Sequence, residues 1–210
     1  MKQSRKLTIY NWLTKILPAT KLCRRIRVAC LKWAGVKLGQ DVEIGDGVVV
    51  RGDGEICIDD YVRLYDDVYI LCKTGGRITI GNSVCLATRV YVECGGVIEI
   101  GDRTFVMQES LLTANCGSRL SIGCDCQIAH MVSLKTSTHN IDTVGMCIAG
   151  SERFDDIEIG NGVWLCAGVI VIPGVKIGDK VLVAAGAVVT TNVSHGRMVA
   201  GVPAIEKKCF

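Results

Sequence analysis

The chain has 210 residues, 49% of them hydrophobic but only 5% aromatic, with 24 glycines, three prolines and twelve cysteines. That length suits one domain with its own core, and so apolar a composition without a long polar tract excludes a disordered chain. The formal net charge of +3 conceals an asymmetry: residues 1 to 40 hold ten Lys or Arg and no acid, which leaves −7 for the remainder. No apolar signal segment opens the sequence. The cysteines are scattered through apolar runs without a repeated CxxC, so they read as small buried hydrophobes in a reducing cytoplasm. Cys124 and Cys126 form one C-x-C, a weak metal signal without a partner motif.

Residues 1–37 come first. KLTIYNWLTKIL and KLCRRIRVACLKW place apolar residues at three and four spacing with basic residues between them, the pattern of amphipathic helices. Such helices can cap the open end of a stacked-strand fold. Ten unopposed positive charges also suit peripheral contact with an anionic membrane through residues 1–36. Capping alone and capping with membrane contact both fit. No run is long and apolar enough to span a bilayer.

From Ile58 the chain repeats. Six-residue units start at Ile58, Leu64 and Ile70, at Ile80, Leu86 and Val92, at Ile100, Val106 and Leu112, and at Ile122, Ile128 and Leu134. Every third unit is longer than six, with KTGGR, ECGG and NCGSR as the excess. Two apolar positions in six match neither a helix nor simple alternation, and the intervening positions are turn formers. The pattern predicts an all-β solenoid over 38–195, with three-sided coils and insertions at one corner. After Leu134 the interval reaches 25 residues, a loop over 135–158 that contains TSTHNID. His139 lies where the coil gives way to that loop, a place where functional residues concentrate. A solvated loop histidine would look the same in sequence.

From Ile159 the repeat is uninterrupted: IGNGVW, LCAGVI, VIPGVK, IGDKVL, VAAGAV, VTTNVS. A tail, 196–210, follows. This run together with MVAGVPA resembles the hexapeptide-repeat acyltransferases. Those nearest in pattern are the maltose and galactoside O-acetyltransferases and the sugar acetyltransferases of polysaccharide pathways.

The resemblance implies a left-handed parallel β-helix, against the usual right-handed crossover. It also implies homotrimers with active sites between subunits, acetyl-CoA as acyl donor and no metal. TSTHNID is similar to the family's THPxD-type segment, which makes His139 the general base that takes a hydroxyl proton; imidazole suits that role near neutral pH. The sugar-acetylating relatives carry an asparagine one coil before this histidine. Hexad alignment puts Glu109 there, where a carboxylate would orient His139 or accept from a sugar hydroxyl. For coenzyme A the resemblance points to Ala167 and Ala185 along one column, to Thr190 and Thr191 in the next hexad, and to Lys207 or Lys208 toward the nucleotide phosphates. His130, Asp142 and Trp164 are the expected acceptor-lining residues, and His195 a surface residue.

The function expected is therefore O-acetylation of a sugar, or a lipid-linked saccharide, in lipopolysaccharide, capsule or exopolysaccharide synthesis. It would take place in the cytoplasm or on the inner face of the membrane. A serine or antibiotic acetyltransferase would use the same fold with a different acceptor pocket. A metal enzyme of the carbonic anhydrase type needs converging histidines, whereas His130 and His139 are nine residues apart with no Hx4H. A non-catalytic trimeric scaffold is the remaining class; THNID and the coenzyme column speak against it. Nothing in the sequence points to nucleic acid.

Overall fold

The computed structural model describes residues 5–17, 20–142 and 146–209, so Lys2 of the basic arm lies outside the described residues. Two helices, α1 (Arg5–Ile16) and α2 (Lys21–Trp33), precede a left-handed parallel β-helix of about seven coils. Its strands form three sheets of seven, nine and seven strands, and a separate two-stranded hairpin projects from it.

The first residue of each hexad is what the coils bury. Ile58, Ile80, Ile100, Ile122, Ile159 and Ile177 stand in register up the first sheet. Leu64, Leu86, Val106, Ile128, Leu165 and Val183 do so in the second. Ile70, Val92, Leu112, Leu134, Val171 and Val189 form the third column. All of them are buried in one continuous core. The solenoid also begins one coil earlier than the hexads from Ile58: Leu38, Ile44 and Val50 pair with Ile58, Leu64 and Ile70. At the far end Arg197–Ala200 extends the second sheet, and Ile205–Cys209 pairs antiparallel with it.

The coils turn through left-handed backbone. Between the first and second sheets the column Asp41, Tyr61, Ser83, Arg103, Asp125, Gly162 and Lys180 has φ from 47° to 62°. Between the second and third sheets the matching column is Gly47, Asp67, Arg89, Glu109, Met131, Gly168 and Gly186, at 56° to 71°. A side chain in this region costs energy, which is why glycine favours it. The C-terminal coils use glycine at most of these corners, and the earlier coils use whatever residue they have.

The helices close the exposed edge of the first coil. Asn11 of α1 reads both backbone groups of Val50: its Nδ2 donates to the carbonyl at 2.8 Å, and its Oδ1 accepts from the N–H at 3.0 Å. Thr20 caps α2 by accepting from Cys23 N. The fully buried Arg27 ties the assembly together, donating to the Leu17 carbonyl at 2.7 Å and pairing with Asp46 of the first coil at 2.6 Å. Arg27→Ala is expected to cost about 2–3 kcal/mol, less than a fully enclosed pair because Asp46 keeps contact with water. Earlier amide exchange in α1 and α2 than in the later coils is the readout.

The eleven cysteines whose side chains are described are free thiols. Most lie along the coils at buried or half-buried positions.

Candidate functional site

The insertion after the fifth coil is an ordered antiparallel hairpin, Ser137–Ile141 with Cys147–Phe154. Its base is anchored by Thr136, which is fully buried. The Thr136 N–H donates to the Thr113 carbonyl at 3.1 Å, its carbonyl accepts from Asp155 N at 2.9 Å, and its hydroxyl lies 2.7 Å from that of Ser118. Asn140 Nδ2 bridges to Ser151 Oγ at 2.8 Å. The Asp142 carboxylate accepts from Met146 N at 2.8 Å at the tip. Asp142 thus helps shape the hairpin that carries His139. His139 is exposed and stands directly across from Glu152.

Beneath the hairpin a cavity of about 550 Å³ opens against the outer face of the third sheet. Ser137, Glu152 and Phe154 of the hairpin line one side, and Lys73, Tyr91, Glu93, Thr113, Asn115 and Lys135 belong to the coils. The floor is a preformed polar network. Lys73 Nζ lies 2.5 Å from Glu93 Oε1 and donates to Asn115 Oδ1 at 2.9 Å, while Tyr91 OH donates to Glu93 Oε2 at 2.9 Å. Burial raises the Glu93 pKa, but the hydrogen bonds from Lys73 and Tyr91 outweigh it and hold the carboxyl below its ordinary range. Burial, with the neighbouring Glu93, pushes the Tyr91 phenol up to about 12. The cavity is therefore lined by fixed donors and acceptors, the kind of surface that orients hydroxyl groups.

These floor residues escaped the sequence reading, although a signal existed. Lys73 and Asn115 follow the third-side strands of their coils, and Glu93 occupies the outward position in register with Thr113. An asparagine does stand one coil before the histidine: it is Asn115, one hexad beyond Glu109. Glu109 itself is on the corner between the second and third sheets, with its carboxylate held by Arg89 one coil earlier. Within one chain it does not meet His139, whose hairpin leaves from the corner between the third and first sheets.

The expected coenzyme column lies on Glu109's corner. Successive coils are linked there by backbone bonds: Met131 N to Gln108 O, Gly168 N to His130 O, and Gly186 N to Ala167 O. His130 stacks between Gln108 and Ala167, and it is exposed. A side-chain carbon at Gly186 would meet nothing within 4 Å, so the corner beside Ala167 and Ala185 is open. Trp164 is half-exposed on the outer face of the second sheet, between Gln127 and Leu182. Thr190, Thr191 and His195 are exposed. Lys208 is exposed on the final strand, opposite Met198. One chain thus places the hairpin that carries His139, the polar cavity, Thr190 and Thr191 at one corner, and Ala167 and Ala185 with His130 and Glu109 at another. Among the described residues no group of three His, Cys, Asp or Glu is placed to hold a metal.

Comparison with known proteins agrees with this architecture. Residues 156–191 match the family described as bacterial transferase hexapeptide (six repeats). A Dictyostelium discoideum protein named "Putative acetyltransferase" is 36% identical over 124 residues, which is 59% of this chain and 64% of that protein's length. A maltose O-acetyltransferase from Clostridium difficile 630 superposes with a TM-score of 0.59 at 19% identity, covering 99% of this chain and 86% of its own. A hexapeptide-repeat acetyltransferase from Vibrio cholerae O1 biovar eltor, complexed with acetyl coenzyme A, gives 0.57 at 19% identity, covering 98% and 86%. The hexapeptide repeat over 156–191 and the fold of these solved structures are therefore shared by this chain.

Proposed function

With that repeat and fold as premise, we propose that the chain is an acetyl-CoA-dependent O-acetyltransferase whose acceptor is a sugar hydroxyl of a surface polysaccharide. The observation that carries this is the presentation of His139: an accessible imidazole on a hydrogen-bonded hairpin anchored at Thr136, over a cavity with a fixed polar floor. Acceptor hydroxyls bind across Asn115, Glu93 and Glu152. His139 takes the proton of one hydroxyl as its oxygen attacks the thioester carbonyl. When the tetrahedral adduct collapses, the carbon–sulfur bond breaks and the proton passes from the imidazole to the leaving thiolate. The products are the sugar ester and coenzyme A.

In this reading the pantetheine arm runs along the open corner beside Ala167 and Ala185. Thr190 and Thr191, on the next corner after the strand Val188–Val189, and Lys208 meet the rest of the coenzyme, Lys208 facing the nucleotide phosphates. Because the Ala167–Ala185 corner and the hairpin's corner are different, a complete site in this reading needs a second copy. One subunit's hairpin docks beside the neighbour's column, where His130, Asp142 and Trp164 line the acceptor and Glu109 orients the imidazole. A closed ring of three meets that requirement. Light scattering is expected to give about three times the chain mass of 22.6 kDa, and an active monomer would overturn the shared site. Among the described residues no helix is long and apolar enough to cross a membrane; in our reading the protein works on the inner face of one, in contact through residues 1–36. Release of thiol from acetyl-CoA with a panel of saccharides, amino acids and antibiotics tests the acceptor class. Turnover with amino acids or antibiotics alone would refute the saccharide.

A further inference from the structure

We infer that the solvent face of the two-helix cap inserts tryptophan and aliphatic side chains into an anionic bilayer. This deepens the membrane contact proposed above by naming the surface and its mode. In α1 the inward stripe Leu7, Tyr10, Asn11 and Thr14 is buried. A second apolar stripe, Ile9, Trp12 and Ile16, faces water, with Trp12 61% exposed. In α2 the buried positions are Cys23, Arg27 and Leu31. Leu22, Ile26 and Trp33 are exposed, at 68% for Leu22 and 51% for Trp33. Six of the sixteen large hydrophobic residues exposed among the described residues therefore lie on these two helices. The core needs only one face of each, so the outer stripes are surplus to folding.

The start of α1 meets the end of α2 at the surface: Lys6 lies over the Trp33 ring, with Nζ 5.1 Å from its centroid. Exposed Arg5, Lys15, Arg24, Arg25 and Lys32 surround the outer stripes, and no acid occurs before Asp41. The groove of about 740 Å³ between α2 and the first coil, where Arg24, Arg25 and Lys32 meet Asp41, Glu43 and Asp60, is of mixed charge, so the basic residues on the outer side of the helices carry the attraction.

The charge chooses the occupant. A second copy of this cap would bring like charges together, whereas an anionic leaflet neutralises them. Tryptophan and basic residues around an aliphatic stripe are the composition of helices that lie in the membrane interface.

Flotation of the full chain with phosphatidylcholine vesicles, with and without phosphatidylserine, tests this across a salt series. The wild type is expected to float with anionic vesicles and to keep part of that binding at high salt. Trp12→Ser with Trp33→Ser should weaken it on the order of tenfold or more at every salt concentration. Arg25→Gln with Lys32→Gln should weaken it roughly thirtyfold at low salt and little at high salt. No flotation, or flotation of the double tryptophan variant equal to wild type, overturns insertion. So does a change in that variant's oligomeric mass without loss of flotation. Thiol release with a soluble acceptor is expected to survive in both variants, so a failure of docking is distinct from a failure of acetyl transfer.

Discussion

Replacing His139 with alanine is expected to lower acetyl transfer about a hundredfold to ten-thousandfold, the usual cost of losing a general base, while coenzyme A still binds. The separation follows from where the parts stand. Ala167 and Ala185 stand on a different corner from the hairpin, and the backbone ladder through Gly168 and Gly186 is untouched by the substitution. The hairpin itself is held by Thr136, by the Asn140–Ser151 bond and by Asp142 at its tip, so the imidazole is lost without its platform. Single-turnover transfer and equilibrium coenzyme binding measure the two effects independently. His195→Ala should cost little and His130→Ala an intermediate amount through the acceptor. Near wild-type turnover by the His139 variant, with assembly and coenzyme binding intact, would return TSTHNID to the status of a polar loop.

Leu112→Ala is expected to destabilise the fold by about 2–5 kcal/mol. Leu112 is fully buried between Val92 and Leu134 in the third column, and Leu134 carries the chain into Thr136. A cavity there weakens the stacking of the fourth coil on the fifth and loosens the hairpin's foundation. The urea midpoint should fall at an unchanged slope. Amides of the coils next to the cavity should lose more protection than those of the sixth and seventh, because each coil is supported chiefly by its neighbours. An unchanged midpoint would mean that the column is not a packed stack.

The hexads from Ile58 to Val189 could be read because burial recurs at one position per side whatever the other residues are. The first coil falls inside the predicted span from 38, but its hexad frame was not assigned: Leu38, Ile44 and Val50 keep the spacing, yet they follow directly on a basic helical segment that dominates its surroundings. The corners explain why the repeat is plainest late in the chain. Gly162, Gly168 and Gly186 announce left-handed backbone, whereas Tyr61, Arg103, Glu109 and Met131 adopt it without any compositional cue. The hairpin was visible as a long interval but not as paired strands, since Ser-Thr-His-Asn carries no strand alternation. Asn115, Glu93 and Lys73 were missed for a related reason: their meeting depends on which outward positions the register stacks, and sequence spacing shows only the inward ones. The outer stripe of α1 was concealed in the same way, because one amphipathic pattern accounted for the helix before its second apolar face was seen.

The stacked coils also act as a ruler. Neighbouring strands are about 4.8 Å apart, and the hairpin departs from the fifth coil, so His139 is about 20 Å from the coil that the helices cover. The helical layer adds about 10 Å more. A chain standing on its cap would therefore carry out acetyl transfer about 30 Å above the headgroups. A sugar joined directly to a lipid carrier would pass below that height. An oligosaccharide long enough to rise to it, or a polymer free in solution, would reach the hairpin.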